Sequence, residues 1–232
     1  MNLSERLLAI ISFVKEKSIV ADIGTDHGYI PVYLVENNIS KKAIASDISG
    51  NSLKKAEEYV RLKGLENQVE TRLGNGLDAI KPYEVDTVII AGMGGLLISD
   101  ILEKNFKKVE TINNFIFQPM VASQELRKYL YKHNFTIVDE KIVVEEDKYY
   151  EIIHAKWGKD FVEDEIYYEI SKILLERKDL ILKDFLDNRI VQIDDILNAI
   201  NLETSEKAQI RRDELLAEKN KYKEVLSIYE SH

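Results

Sequence analysis

The sequence predicts an α/β protein: a seven-stranded, mostly parallel sheet followed by a helical tail. Three observations predict it. Short apolar runs alternate with helical patterns through residue 158, two last runs follow one another through a polar turn, and glycine and proline vanish from Phe161 to Tyr229. Strands alternating with helices of roughly 10–15 residues give a parallel sheet covered on both faces.

An opening helix is expected over Ser4–Lys15, where Leu7, Ile10, Ile11 and Val14 share one face. Strands are expected at Ser18–Ile23, Lys42–Ser46, Val69–Leu73, Val85–Ala91 and Ile112–Gln118. Between them fall helical patterns at Tyr29–Glu36, Ser49–Lys63, Gly95–Lys104 and Ala122–Lys132, with a short turn around Leu77–Ile80. Phe135–Val144 and Tyr149–Lys156, joined by Glu145-Glu146-Asp147-Lys148, read as an antiparallel hairpin at one sheet edge. The change of style after Gly158 predicts two domains, residues 1–158 and 159–232. In the second, apolar residues recur at helical spacing from Ile166 to Ile200, including Ile181 and Ile196. They resume at Ile210, Leu215, Leu216, Tyr222, Val225, Leu226 and Tyr229, after hydroxyl caps at Thr204-Ser205. A shorter helix and then an antiparallel, coiled-coil-like helical hairpin are expected.

Composition narrows the function. Without cysteine, disulfides, thiolate metal sites and a cysteine nucleophile are excluded. The N-terminal apolar stretch carries charges and has no cleavage-type site, and no apolar run approaches the roughly 20 residues that span a bilayer. A cytoplasmic protein is expected. The net charge of −9 argues against bulk nucleic-acid binding by a basic surface, though not against a local patch. Residues 1–158 carry 20 basic against 23 acidic side chains, and residues 159–232 carry 12 against 18, so the acidity concentrates in the tail. The histidines, His27, His133, His154 and His232, have no ligand-like spacing, so no metal is expected.

The chemistry-bearing motifs sit at strand ends. Asp22, Gly24, Asp26 and Gly28 form D-x-G-x-D-x-G between the first strand and its helix. A diphosphate prefers a bare glycine loop at a helix N-terminus. Two acids there suit a positively charged ligand instead, an ammonium or a sulfonium, and so S-adenosylmethionine. Asp47, followed by Ile48, ends the second strand about 20 residues on, where an acid takes ribose hydroxyls. Asn75 and Gly76 follow the third strand, and the amide can bond the adenine edge. Ala91-Gly92-Met93-Gly94-Gly95 ends the fourth strand without the acid or amide and prolines that hold an exocyclic base amine. A ring nitrogen with an in-plane lone pair needs no such groups, and bare glycines suit a flat base. Gln118-Pro119 closes the fifth strand, and Gln118 can read a base edge.

The runs DIGTDHGYIP, SDIS, GNGL, AGMGG, FQP and DKYYEII together resemble the bacterial tRNA adenine-N1-methyltransferases of the TrmK type. The resemblance covers residues 1–158, and the helical tail is similar to that family's coiled-coil extension. It implies a class I methyltransferase with a Rossmann-like sheet that methylates N1 of adenosine 22 in tRNA, using S-adenosylmethionine and no metal. Asp22, Gly24, Thr25, Gly28, Asp47, Ile48, Asn75, Gly76 and Gly92 would then hold the cofactor. Asp26, His27, Gly92, Met93 and Gln118 would face the reaction, and Arg6, Gly94, Gly95 and Pro119 the substrate. Asn75 stands where the family has aspartate, and Tyr59 where many members have asparagine. The expected partner is tRNA, with no membrane, for a monomer or weak homodimer. A methyltransferase of small molecules or proteins, or an inactive RNA-binding scaffold, remain the alternatives. A nicotinamide dehydrogenase is disfavoured because G-x-G-x-x-G is absent.

Overall fold

The computed structural model describes residues 3–200 and 205–231. It divides into two compact units, the first reaching Glu169 and the second starting at Ile170. In the first, α1 (Glu5–Ile11) is followed by β1 (Ser18–Ile23), α2 (Tyr29–Glu36), β2 (Ser40–Asp47), α3 (Gly50–Leu62) and β3 (Val69–Leu73). After a 3-10 turn at Gly76–Ala79 come β4 (Thr87–Met93), α4 (Gly95–Lys104), α5 (Phe106–Val109), β5 (Asn114–Pro119) and α6 (Ser123–Lys132). The hairpin β6 (Phe135–Glu145) and β7 (Lys148–Trp157) precedes a last short helix, α7 (Ile166–Glu169).

The seven strands form one sheet in the order β3-β2-β1-β4-β5-β7-β6. β1 to β5 pair in parallel, while β7 runs antiparallel to both β5 and β6. The expected fold class and the edge hairpin are therefore present. Sequence explains the order of layers. β5 is buried along its whole length, as are all but one residue of β1, and both read as near-continuous apolar runs because helices cover both faces. Chain order reverses between β1 and β4, which are neighbours, so their carboxyl ends frame a crevice.

Helix boundaries follow local chemistry. Ser4 caps α1 by accepting the Leu7 N–H at 3.5 Å, and Ser49 caps α3 through the Ser52 N–H at 3.4 Å. Pro31 fits the first turn of α2, where an N–H has no intrahelical partner. α1 stops at Ile11, short of the expected Lys15, because the chain tightens into turns in which Phe13 and Val14 donate to Ile10 and Ile11. The short helix α5 has no counterpart in the sequence reading.

Arg127 of α6 ties the end of the first unit together. Its buried guanidinium pairs with Glu140 of β6 at 2.7 Å and with Glu151 of β7, and donates to the carbonyls of Tyr168 at 3.5 Å and Glu169 at 3.3 Å. These bonds carry the first unit past residue 158, through α7.

The second unit opens with α8 (Lys172–Glu176), capped by Ser171, so two short helices rather than one precede the hairpin. Its long helices are α9 (Leu180–Ile200) and α10 (Glu206–Ser231). They run antiparallel, as the Asp194–Lys219 pair and the bond from the Tyr229 hydroxyl to the Lys178 carbonyl require. Ser205 caps α10, accepting the Ala208 N–H at 3.2 Å, while Thr204 lies outside the described residues. Ala208, Leu215, Tyr222 and Tyr229 are buried at seven-residue spacing, the seam of a coiled-coil-like helix. Ile210 at 55% exposure, along with Leu216, Ile181 and Ile196, falls off the buried faces, contrary to the sequence reading. Among the described residues, no helix is long and apolar enough to cross a membrane.

Removing Arg127 alone takes the cation from buried Glu140 and part-buried Glu151, which costs more than the pair itself contributes. Arg127→Met is expected to lower folding stability by about 3–5 kcal/mol, read by chemical denaturation.

Candidate active site

β1 delivers Asp22 to the mouth of the crevice. The turn after it needs glycine twice, because Gly24 and Gly28 have φ of +82° and +70°. Space is tight as well: a Cβ on Gly24 would lie 2.1 Å from Met93 Cε, the flexible end of that side chain, and one on Gly28 would lie 3.2 Å from Ala56 Cβ. Met93, at the end of β4, therefore packs directly on Gly24. The turn is pinned to β2 by the Gly24 and Thr25 N–H groups, which donate to the Ser46 carbonyl at 2.8 and 2.9 Å.

Asp22 is 5% exposed, and burial pushes its carboxyl up to about 6. A hydrogen bond with buried Thr25 pulls it back and the charge of Asp47 raises it further. Because the folded value lies above the ordinary 3.8, this group favours folding below pH 4 and the benefit disappears as pH rises through about 6. At neutral pH the ionised carboxylate costs roughly 3 kcal/mol, at about 1.4 kcal/mol per unit.

A cavity of about 360 Å³ opens at this point, lined by Arg6, Asp22, Gly24, Thr25, Asp26, His27 and Gly92 among others. Two larger hollows, of about 550 and 560 Å³, lie at the opposite ends of the strands, away from the motifs. The smaller cavity sits where open α/β sheets bind ligands, and chemistry outweighs size here.

At its rim, Asp26 pairs with His27 Nδ1 at 2.8 Å, and Lys55 approaches Asp26 at 3.6 Å. The His27 ring stacks on Tyr29, centroids 5.0 Å apart and 9° from parallel, and Tyr59 meets Tyr29 edge-on at 5.4 Å. Tyr59 thus braces the rim. Tyr29, which also lines the cavity, escaped the sequence reading, although its position directly after Gly28 was a signal.

Asp47, Ile48, Asn75 and Gly76 do not line the cavity but continue the same sheet edge, at the ends of β2 and β3. Asp47 Oδ1 accepts the Ser49 N–H at 2.6 Å, and its carbonyl accepts the Gly74 N–H at 3.0 Å. Ile48 is 69% exposed and Asn75 is exposed beside it. Lys108 secures the following turn by donating to the Leu77 carbonyl at 2.8 Å.

The β4 and β5 ends are zipped together: Met120 N–H donates to the Met93 carbonyl and Gly95 N–H to the Val121 carbonyl, each at 2.8 Å. Gly92 is exposed, with open space where a Cβ would be, while Gly94 is half-buried. Gly95 and Pro119 are buried rather than open to a substrate, and a Cβ on Gly95 would strike the Ala122 carbonyl at 2.1 Å. Gln118, expected to read a base edge, is wholly buried with its amide in use. Its Oε1 accepts from Arg6 Nη1 at 2.7 Å, and its Nε2 donates to the Pro119 carbonyl at 2.9 Å. Among the described residues no three His, Asp or Glu side chains gather as a metal site; His232 lies outside them.

A family model described as a methyltransferase domain matches residues 3–153. The Bacillus subtilis tRNA (adenine(22)-N(1))-methyltransferase is 37% identical over 158 residues, 68% of this chain and 66%, just under two thirds, of its own length. The crystal structure of the B. subtilis M1A22 tRNA methyltransferase TrmK matches with a TM-score of 0.86 at 30% identity, over 97% of this chain and 98% of that one. The chain belongs to this family. M. capricolum TrmK in complex with S-adenosyl-homocysteine gives a TM-score of 0.84 at 31% identity, over 98% of this chain and 99% of that one. Family membership thus extends over both units, where the similarity read from sequence motifs was strongest in the first.

Asp22→Asn removes the buried charge. The ligand-free variant is expected to be more stable than the parent at pH 7.5 by up to roughly 3 kcal/mol, with the difference fading below pH 5. Thermal unfolding followed across pH checks this.

Proposed function

We propose that this chain transfers a methyl group from S-adenosylmethionine to N1 of adenine 22 in tRNA. The observation that carries the reading is the bare β4 end at Gly92, beside a crevice that holds a buried carboxylate. The residues fit the cofactor. Asp22 is a desolvated carboxylate that a cationic group would relieve, and the glycines at 24 and 28 clear the approach. Asp47 would accept ribose hydroxyl hydrogen bonds, Ile48 would offer an apolar face to the adenine, and Asn75 an amide to its edge.

When bound, S-adenosylmethionine supplies a methyl group made electrophilic by the sulfonium. The chain's own contribution is positioning and electrostatics. The bare lip at Gly92 lets a planar base approach edge-on without a side chain between it and the donor. N1 presents an in-plane lone pair, so no acid or proline carbonyl is needed to rehybridise it. As N1 bonds to the methyl carbon, positive charge passes from sulfur to the adenine ring and no proton has to leave. A general base is therefore not obligatory. Asp26, held by His27 and Lys55, keeps negative charge at the rim where the ring becomes cationic. His27 Nδ1 is taken by Asp26, which leaves Nε2 for the adenine N6 amine. Access to N1 requires the base to leave its stack.

The test is methyl transfer to two tRNA transcripts differing only at position 22. Modification is expected with adenosine and not with guanosine, seen as a reverse-transcription stop at that nucleotide. Equal labelling of both, or labelling of neither, overturns the reading.

A further inference from the structure

Four large apolar side chains stand in solvent at the ends of β4 and β5. Leu96 and Leu97, in the first turn of α4, are 61% and 52% exposed, and Met120 and Val121, directly after β5, are 48% and 67% exposed. They form one lip. The Gly95 N–H bonds the Val121 carbonyl, the Met120 N–H bonds the Met93 carbonyl, and a Cβ on Gly94 would touch Val121 Cγ2 at 3.5 Å. The lip begins beside Gly92, which lines the crevice. Its backbone is held under strain: Ala122, the next residue, has a φ of +60°, a left-handed conformation that alanine seldom adopts. Such strain persists only where the surroundings over-determine it, and the Ala122 carbonyl lies so near Gly95 that no side chain fits between them.

The lip is also free of charge. Residues 91–99 and 118–124 carry no charged side chain, in a chain of which 31% is charged. Such a surface does not hold phosphates; the apolar part of a nucleic acid is the face of a base. Methylation at N1 demands that the target adenine leave its stack, and its departure strips the base faces on either side. We infer that Leu96, Leu97, Met120 and Val121 cover the base faces of the nucleotides flanking the target adenine. They fill the gap it leaves and so lower the cost of its extrusion, as apolar wedges do between unstacked base steps. The contact reads no sequence, because every base presents such a face. This deepens the methyltransferase reading and rests on it.

The experiment replaces Val121 with a photo-crosslinking amino acid and maps its crosslinks on bound tRNA against the nucleotide that the parent protein methylates. Crosslinks are expected on the two nucleotides flanking the methylated one. Crosslinks elsewhere on the tRNA, or only to a second copy of this chain or to no RNA, overturn the inference. A different methylated position moves both signals together, whereas a wrong inference separates them. If the parent methylates no tRNA, the methyltransferase reading fails and the inference with it. Kinetics give the second measurement. Leu96→Ser combined with Val121→Ser is expected to lower kcat/KM for tRNA by about 10- to 100-fold. S-adenosylhomocysteine should bind the variant as it binds the parent, which reports an intact fold. On a transcript whose two flanking nucleotides are abasic, the difference between parent and variant is expected to vanish. An equal loss on both transcripts would make the lip structural only and contradict the inference.

Discussion

Burying a carboxylate at the end of a central strand costs free energy, and Asp22 bears that cost in the ligand-free protein. The surroundings leave it little relief. Thr25 offers one hydrogen bond, while Asp47 adds repulsion. The arrangement around it follows. Gly24 must be glycine because its φ is +82°, and the turn must be pinned to Ser46 so that the strand end holds its place. A site that keeps a charge desolvated gives up stability for binding, since a cation arriving there recovers what folding lost.

The same logic orders the rest of the crevice. β1 and β4 are neighbours across the point where chain order reverses, so the acid and the bare glycine lip face one another without insertions. α1 brings Arg6 across to β5, and the hairpin contributes Glu145 and Tyr150 to hold it. The edge hairpin therefore closes the sheet and also supports the site.

Much of this was legible in the sequence, because parallel strands with covering helices write their pattern locally. Asp47 could be placed at its strand end from its spacing and Gly24 from its turn, since each depends only on its own strand-turn-helix unit. What failed depends on distant residues. Gln118 reads equally well as a base reader or a buried amide, and only Arg6, far off in the chain, decides between them. Gly95 resembles a platform for a base until α6 places the Ala122 carbonyl against it. The Arg127 cluster joins four elements, and nothing near Arg127 in sequence announces it. In α10 a small alanine at 208 holds the seam while the larger Ile210 lies outside, because the seven-residue repeat outranks hydrophobicity at a single position.

At the centre of the site is a carboxylate that is strained in the free protein and relieved by a cationic ligand. The most direct measurement is a carbon-13 NMR titration of the Asp22 carboxyl, with and without S-adenosylhomocysteine. A midpoint near 6 is expected in the free protein, moving clearly downward when the ligand is bound. A midpoint near the ordinary 3.8 in the free protein, unmoved by the ligand, would contradict it.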